Sequence, residues 1–314
     1  MDIKDIKEEW NARLMDNLKA FIDICRRHNL RWYCCGGTSI GAVRHNGLIP
    51  WDDDIDVMMP RPDYDRLLEI ARSEMPHLRH GKENGKDGTN GKGEDRENNR
   101  YEIITPYNDC DYPLYFAKIS DTTTTVVEER ERPCVIGLFV DIFPIDATDD
   151  DTAAAVRTKA RYAKLLNKLN AVSTRNTFCE YIALLKNTKE WGRFAIKTAA
   201  WLCRATIRKA LIRKMDAISH RYDYETAKNV AVHTGSYGAK EVFPKEWLGK
   251  GSIHKFEDIE VVLPEQYDVY LRHFFNDYMQ LPPVEQRVEK HNRAYVNLSC
   301  RQAIEDIRQF LVRE

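Results

Sequence analysis

Apolar side chains recur at Ile6, Trp10, Leu14, Leu18, Phe21, Ile22 and Cys25. This three-to-four-residue spacing belongs to a helix with one buried face, so a long amphipathic helix is predicted over residues 5–29. The period then changes. RWYCC (31–35) is a short β-rich run that stops at Gly36–Gly37, and TSIGAVRH reads as a short helix opening with Thr38 or Ser39 as N-cap. In DIDVMMP (54–60) polarity alternates residue by residue. Asp54, Asp56 and Met58 then share one face of a strand and Ile55, Val57 and Met59 the other, with Pro60 and Pro62 closing it.

A helix is predicted over residues 63–75. The stretch 81–99, GKENGKDGTNGKGEDRENN, holds five glycines and no apolar side chain, and is expected to be a disordered surface insertion. After it RYEIITP, PLYFAKIS, TTTTVVEE and GLFVDIFPID are rich in β-branched and aromatic residues, so strands dominate to about Ile145. From Asp151 to about Tyr224 the pattern is helical, and EDIEVVLP and YDVYLRHFFNDYM predict a late β element and a further helix. The expected fold class is α+β, a mixed sheet with flanking helices and an added helical region. Residues 1–150 would form the sheet-bearing core and 151–314 a mainly helical region.

Composition narrows the functional classes. The 314 residues carry a formal charge of -1, which gives no chain-wide attraction to nucleic acid. Charge is unevenly placed, however. Ala153–Lys214 holds 15 Lys or Arg against Glu180 and Glu190, a local charge of +13, which leaves -14 on the rest. Within it Phe194, Ala195, Trp201, Leu202, Ile207 and Leu211 are set among basic residues, a pattern that suits either a helix on an anionic membrane surface or a core-facing helix with a solvated basic face. The beginning MDIKDIKEEW is too charged for a secretory signal, and no stretch approaches the roughly 18–20 apolar residues needed to span a bilayer. A cytoplasmic location is expected, peripheral on the inner face of the membrane. The eight cysteines form no C-x-x-C pair and are expected to be reduced core residues.

The chemistry concentrates in GGTSIGAVRHNGLIPWDDDIDVMMPRPDYDRL (36–67). Asp54 and Asp56, two residues apart on a strand face, would have Cα atoms about 6–7 Å apart at a rise near 3.3 Å per residue. Carboxylates that close raise one another's pKa unless a cation neutralises them, and Mg²⁺ favours one or two carboxylates together with phosphate oxygens. Asp141 lies in the apolar run GLFVDIFP, where a lone buried carboxylate would be costly without a cation. Were its strand beside that of Asp54 and Asp56, three carboxylates would surround a metal position suited to phosphoryl transfer. Gly36 and Gly37 would let backbone N–H groups approach phosphate at a helix start. P-loop, Rossmann and EF-hand spacings are all absent.

This block resembles the signature of the LicD-type phosphocholine transferases, which are related to the fukutin-related ribitol-phosphate transferases within the nucleotidyltransferase-fold superfamily. FAKISDTTTTVVEE, GLFVDIFPID, SYGAKEVFPKEWLG, FEDIEVVLPEQYDVYLRHFFNDYMQLPP and EQRVEKH agree in order. The resemblance implies a nucleotidyltransferase-like sheet and a metal-dependent enzyme, with Mg²⁺ or Mn²⁺. It would take a phospho-alcohol, phosphocholine first, from a CDP-alcohol donor to a glycan hydroxyl and release CMP. The acceptor would be a cell-surface glycan or its precursor, such as lipopolysaccharide or teichoic acid, and it could be lipid-linked; nucleic acid would be no partner. The superfamily's glycine pair and three acids fall on Gly36 and Gly37, and on Asp54, Asp56 and Asp141, which serve as metal ligands and catalytic groups, with Asp141 a candidate to accept the hydroxyl proton. Other CDP-alcohols (ribitol, glycerol, ethanolamine) and a nucleotidyltransferase attacking the α-phosphate remain as alternatives.

Further substrate contacts are expected from Thr38, Ser39, Arg44, His45, Asp52 and Lys118, with Asp52 and Asp53 supporting the loop. Arg44 and His45 could equally cap the short helix. A choline head group would favour an aromatic cage, for which Trp51, Tyr64, Tyr115 and Trp247 are available, although aromatics in such runs commonly belong to the core. Arg287 and His291 could meet phosphate or pack helices. Tyr237, Lys240 and Glu241 sit in a family-like block without an assigned role.

Overall fold

The computed structural model describes residues 6–75, 100–109, 112–173, 203–289, 291 and 293–311. The glycine-rich stretch 81–99 lies outside the described residues, as do Phe194, Ala195, Trp201 and Leu202 of the basic segment.

Helix α1 (Lys7–Arg27) has Glu8 and Glu9 in its first turn and Arg26 and Arg27 in its last, each sign at the end of the helix dipole that favours it. It stops where Asn29 turns left-handed at φ 51°. There Leu30 N–H donates to Cys25 O at 2.8 Å and Asn29 N–H to Arg26 O at 3.4 Å, the paired bonds of a Schellman end. The buried face, Trp10, Leu14, Leu18 and Phe21, covers one side of a mixed sheet. Truncating a residue such as Leu18 to alanine would cost about 2–5 kcal/mol.

The sheet runs β1 (Tyr33–Cys34), β2 (Asp56–Pro60), β6 (Phe139–Ala147), β4 (Ala117–Asp121) and β3 (Tyr101–Ile104) in spatial order. Only β2 and β6 pair in parallel. The far end of β6 pairs with β7 (Asn229–Ala231), which pairs in turn with β8 (Val242–Pro244), so the second half of the chain adds two strands to the same sheet. The fold is α+β with a mixed sheet. The period-two pattern of β2 is expressed: Ile55, Val57 and Met59 face the α1 side, and Met58 packs with Tyr33, Cys35, Phe243 and Tyr270 on the opposite side.

Helix α2 (Gly36–Arg44) follows β1, α3 (Arg61–Glu74) follows β2, and α4 (Thr152–Ser173) packs against α5 (Arg204–Ser219). A hairpin of β9 (Ser252–Phe256) and β10 (Ile259–Leu263) leads into α6 (Tyr267–Phe275). Finally β11 (Tyr295–Asn297) pairs with β5 (Thr125–Val127) ahead of α7 (Ile304–Leu311).

Several expectations shift. Asp54 precedes β2 instead of lying within it, Pro60 is the strand's last residue, and Pro62 sits in the first turn of α3, where proline's fixed φ is compatible with a helix. Cys25, Cys34, Cys35 and Cys134 are buried, but Cys203 and Cys300 are exposed. Leu211, with Ile212 and Met215, packs against Tyr115, Tyr162 and Leu169, and Ile207 packs onto the same cluster. The described part of the basic segment therefore turns its apolar face inward, because α4 offers a complementary apolar stripe.

Candidate active site

The register of the central strands builds the floor of the site. Asp56 on β2 is the direct partner of Asp141 on β6, and Asp141 is the direct partner of Lys118 on β4. A period-two strand points those side chains to the same face. Three residues separated by as many as 85 positions thus form one row. Lys118, 1% exposed, donates to Asp141 Oδ1 at 2.5 Å and lies 3.3 Å from Glu128 Oε1.

Above the row sits the glycine pair. Gly36 and Gly37 are the first residues of α2, and Cys35 is its N-cap, with no side-chain cap bond. Neither Thr38 nor Ser39 caps the helix; both are buried within its first turn. Thr38 Oγ1 instead accepts the N–H of Asp56 at 2.8 Å, which ties the helix start to β2. Gly36 has φ 54°, and a Cβ there would lie 2.8 Å from Asp56 Oδ2; at Gly37 it would collide with Asp52 Oδ2. The absence of two side chains is what lets the first turn, with N–H groups that have no helical acceptor, lie against the acids.

Gly36, Gly37, Asp56 and Asp141 line a cleft of about 690 Å³, together with Asp52, Asp54, Arg44 and Trp51. Its acids are electrostatically stressed. Burial, then the charges of Asp54 and Asp53, pushes Asp52 up to about 7. Burial, then Asp54 and Asp141, raises Asp56 well above the usual carboxylate range. Burial raises Asp141 to about 6 against the restraint of Lys118. An oxygen-only donor set whose ionised form is disfavoured by confinement and mutual repulsion fits a hard divalent cation.

Among the described residues, the three-residue group whose ligating atoms all lie within 4.8 Å of one another is Asp53, Asp54 and His291. Asp53 is already neutralised: His291 Nδ1 lies 2.9 Å from its Oδ1 and Arg293 pairs with its Oδ2. Burial raises Asp53, but the His291 hydrogen bond and the Arg293 charge outweigh it, and the net shift is downward. Donating to the Asp53 carboxylate in turn raises His291. We assign Asp53, His291 and Arg293 to structural support of the loop that presents Asp54. Trp10 Nε1 donates to Asp53 O at 3.0 Å, fixing the same loop from α1.

The remaining expected contacts divide. Arg44 lines the cleft and donates to Tyr278 O at 2.7 Å. His45 ends α2 and packs edge-on to Trp51, with ring centroids 5.8 Å apart. Thr38, Ser39, His45 and Lys118 do not line the cleft; Lys118 acts from beneath, through Asp141. Of the expected cage, Tyr64 and Tyr115 are buried in separate clusters and Trp247 stacks on Phe243. Only Trp51 reaches the cleft. Arg287 stacks on that ring, 5.4 Å from its centroid, and donates to Pro282 O, so it holds the rim.

The opposite wall takes Tyr237 and Glu241, marked in the sequence without a role, from the segment between β7 and β8, and Tyr270, Phe274 and Phe275, which the sequence did not single out, from α6. The signal available was an acid within SYGAKEVFP and an aromatic excess in YDVYLRHFF, which amphipathic helix packing would equally produce.

Residues 29–93 match the family model described as LicD/FKTN/FKRP, nucleotidyltransferase domain. The chain is 27% identical over 286 residues, 89% of its length and 94% of the other's, to the lipopolysaccharide cholinephosphotransferase LicD of Haemophilus influenzae. Uncharacterized proteins of Rickettsia typhi and Rickettsia prowazekii are 34% identical over 65 residues and 38% over 53, about a fifth of each chain. The glycine turn and the acid-rich strand lie inside the matched segment, and similarity to the LicD protein runs along nearly the whole chain.

Proposed function

We propose that this protein transfers phosphocholine from CDP-choline to a hydroxyl of a lipopolysaccharide-like or other cell-surface glycan, releasing CMP. Asp54, Asp56 and Asp141 would hold the divalent cation, Mg²⁺ or Mn²⁺. The observation that carries the reading is the row Asp56–Asp141–Lys118 beneath the Gly36–Gly37 helix start, supported by the name of the long Haemophilus influenzae relative. When bound, such a cation neutralises charge on the phosphoryl oxygens.

The chain's own residues supply the rest. The free N–H groups at the start of α2 bind phosphate oxygens, where the helix dipole favours negative charge. Lys118 fixes one oxygen of Asp141, so the carboxylate keeps one orientation and can receive the acceptor hydroxyl's proton. Residues 1–150 form the catalytic core and 151–314 complete the cleft, since Tyr237, Glu241 and Phe274 line it. No helix among the described residues is long and apolar enough to cross a membrane. A lipid-linked acceptor would reach the enzyme at the cytoplasmic membrane face, where the charge of +13 on Ala153–Lys214 favours anionic lipid.

The test is incubation with CDP-choline, CDP-ethanolamine, CDP-glycerol and CDP-ribitol, with Mg²⁺ and a glycan acceptor, measuring CMP and pyrophosphate. CMP release that is lost on EDTA treatment, and reduced at least about 10²–10³-fold in Asp56→Ala, is expected. Pyrophosphate as product, or full turnover by Asp56→Ala, would overturn the reading.

A further inference from the structure

Among the described residues, six acids line the cleft, Asp52, Asp54, Asp56, Asp141, Glu241 and Asp277, and against them stand Arg44 and His291. Glu241 is set apart from the metal-binding floor. It comes from the short turn Gly238–Glu241, is 4% exposed, and accepts the N–H of Tyr237 on Oε1 at 3.1 Å. Among the described residues no Lys, Arg or His lies within ion-pair distance of it. Lys159 is engaged elsewhere, donating to the carbonyls of Val232, His233 and Gly235 at 3.2, 2.7 and 2.6 Å. A buried carboxylate without a cation is costly, and it is held here on purpose-built backbone: any Cβ on Gly235 would collide with its carboxyl group.

Aromatic rings stand beside it. Tyr237 packs edge-on to Phe274 and Phe275, with centroids 5.5 and 5.3 Å apart, and Tyr270 lies 4.8 Å from Phe274. The wall is braced before any ligand arrives. Lys240 Nζ donates to Phe274 O at 2.9 Å, and His273 Nε2 lies 2.8 Å from Lys240 O, which clamps the end of α6 onto the turn that carries Glu241. Trp51, on the other side, has its face covered by Arg287.

We infer that Glu241 together with the rings of Tyr237, Tyr270 and Phe274 forms a subsite for a quaternary ammonium group. Such a cation donates no hydrogen bonds, so what recognises it is π-face and a nearby negative charge. This wall offers both. The inference rests on the phosphocholine reading and adds the residues that make the enzyme select a trimethylammonium head group over a neutral polyol.

The experiment uses the full-length wild type, Glu241→Gln, which keeps the shape and the acceptor oxygen but removes the charge, and Tyr237→Ala, at a position 46% exposed that tolerates truncation. CMP release is followed with CDP-choline and CDP-glycerol, and binding of free choline is compared with its uncharged isostere 3,3-dimethyl-1-butanol by ligand-observed NMR. Expected are a KM for CDP-choline raised by about tenfold or more in both variants, the scale of a desolvated cation–π contact, a much smaller change for CDP-glycerol, and choline bound in preference to the isostere by wild type only. Equal KM changes for both donors, or a uniform fall in kcat without a KM change, would overturn the inference while the transfer reaction stands. Should wild type release CMP from no donor, the functional reading fails, and the choline comparison still decides the subsite: preference lost in Glu241→Gln supports it, equal binding of choline and the isostere refutes it.

Discussion

Replacing Lys118 with methionine removes one charge from beneath the site and little else. Met is of similar length and apolar, and the ammonium it replaces sits 3.4 Å from the centroid of Phe139 and 5.4 Å from that of Phe116, surroundings that accept a thioether. The cost falls on Asp141, which loses the cation 2.5 Å away and has a side chain only 13% exposed. Breaking a buried pair by removing one partner costs about 3–5 kcal/mol, and the residual exposure places this case near 3. A domain stable by about 5–15 kcal/mol would still fold. The pH dependence sharpens the expectation. Asp141 is held above its ordinary 3.8, at about 6, and loss of Lys118 moves it higher. An acid raised by folding contributes stability in its protonated form below the unfolded pKa and loses it as pH rises through the folded one. Urea denaturation without divalent cation should therefore show a deficit of about 3 kcal/mol near pH 8, shrinking by more than half near pH 4.5, where Asp141 carries a proton. Added Mg²⁺ should recover part of the loss at the higher pH, since it replaces the missing charge. A deficit below about 1 kcal/mol, the ordinary scale of an exposed pair, or one of equal size at both pH values, would refute the assigned role of Lys118.

Three further outcomes follow from the same geometry. Gly36→Ala should cost about 1–3 kcal/mol, from its left-handed backbone and its 2.8 Å approach to Asp56, and should weaken Mg²⁺ binding more than Gly47→Ala does; equal Mg²⁺ affinity in the two variants, read by calorimetry, would contradict it. Arg293→Ala leaves Asp53 with His291 alone, so thermal unfolding should report a loss of about 3 kcal/mol, with no loss expected if Arg293 merely decorates the surface. Because Asp141 is held at about 6 and Asp56 well above the usual carboxylate range, both chiefly by burial, they must shed protons to accept metal; the Mg²⁺-induced rise in Tm should be several-fold larger at about pH 8 than at about pH 5.5, and a pH-independent rise would remove these acids from the site.

How much of this was readable in the chain differs residue by residue. Helix α1 was legible because its apolar residues repeat at the helical period over five turns, and β2 because Asp56–Met59 alternate in period two and land on two different cores. The pairing of Asp56 with Asp141 was anticipated only as a condition, since periodicity fixes which face a residue takes but not which strand lies beside it. The N-cap was misplaced because Thr38 has a competing use: its hydroxyl satisfies a strand N–H, which no local propensity encodes. Lys118 was marked by its position in an apolar run, yet its direction, toward Asp141 and away from the cleft, depends on the antiparallel register of β4 with β6.

The sequence by itself determined the local chemistry: a glycine pair with no Cβ to block a phosphate, acids alternating with apolar residues, and a helix to cover the sheet. These follow from steric and hydrophobic patterns within a few residues. Only the tertiary structure decided what each charge meets. Asp53 and Asp54 are neighbours in sequence, but Arg293, from 240 positions away, neutralises the first, while the second faces the cleft. Glu241 became part of the same cleft only when β7 and β8 extended the sheet. A carboxylate's role is set by the charges and solvent around it, and those are brought together by long-range packing.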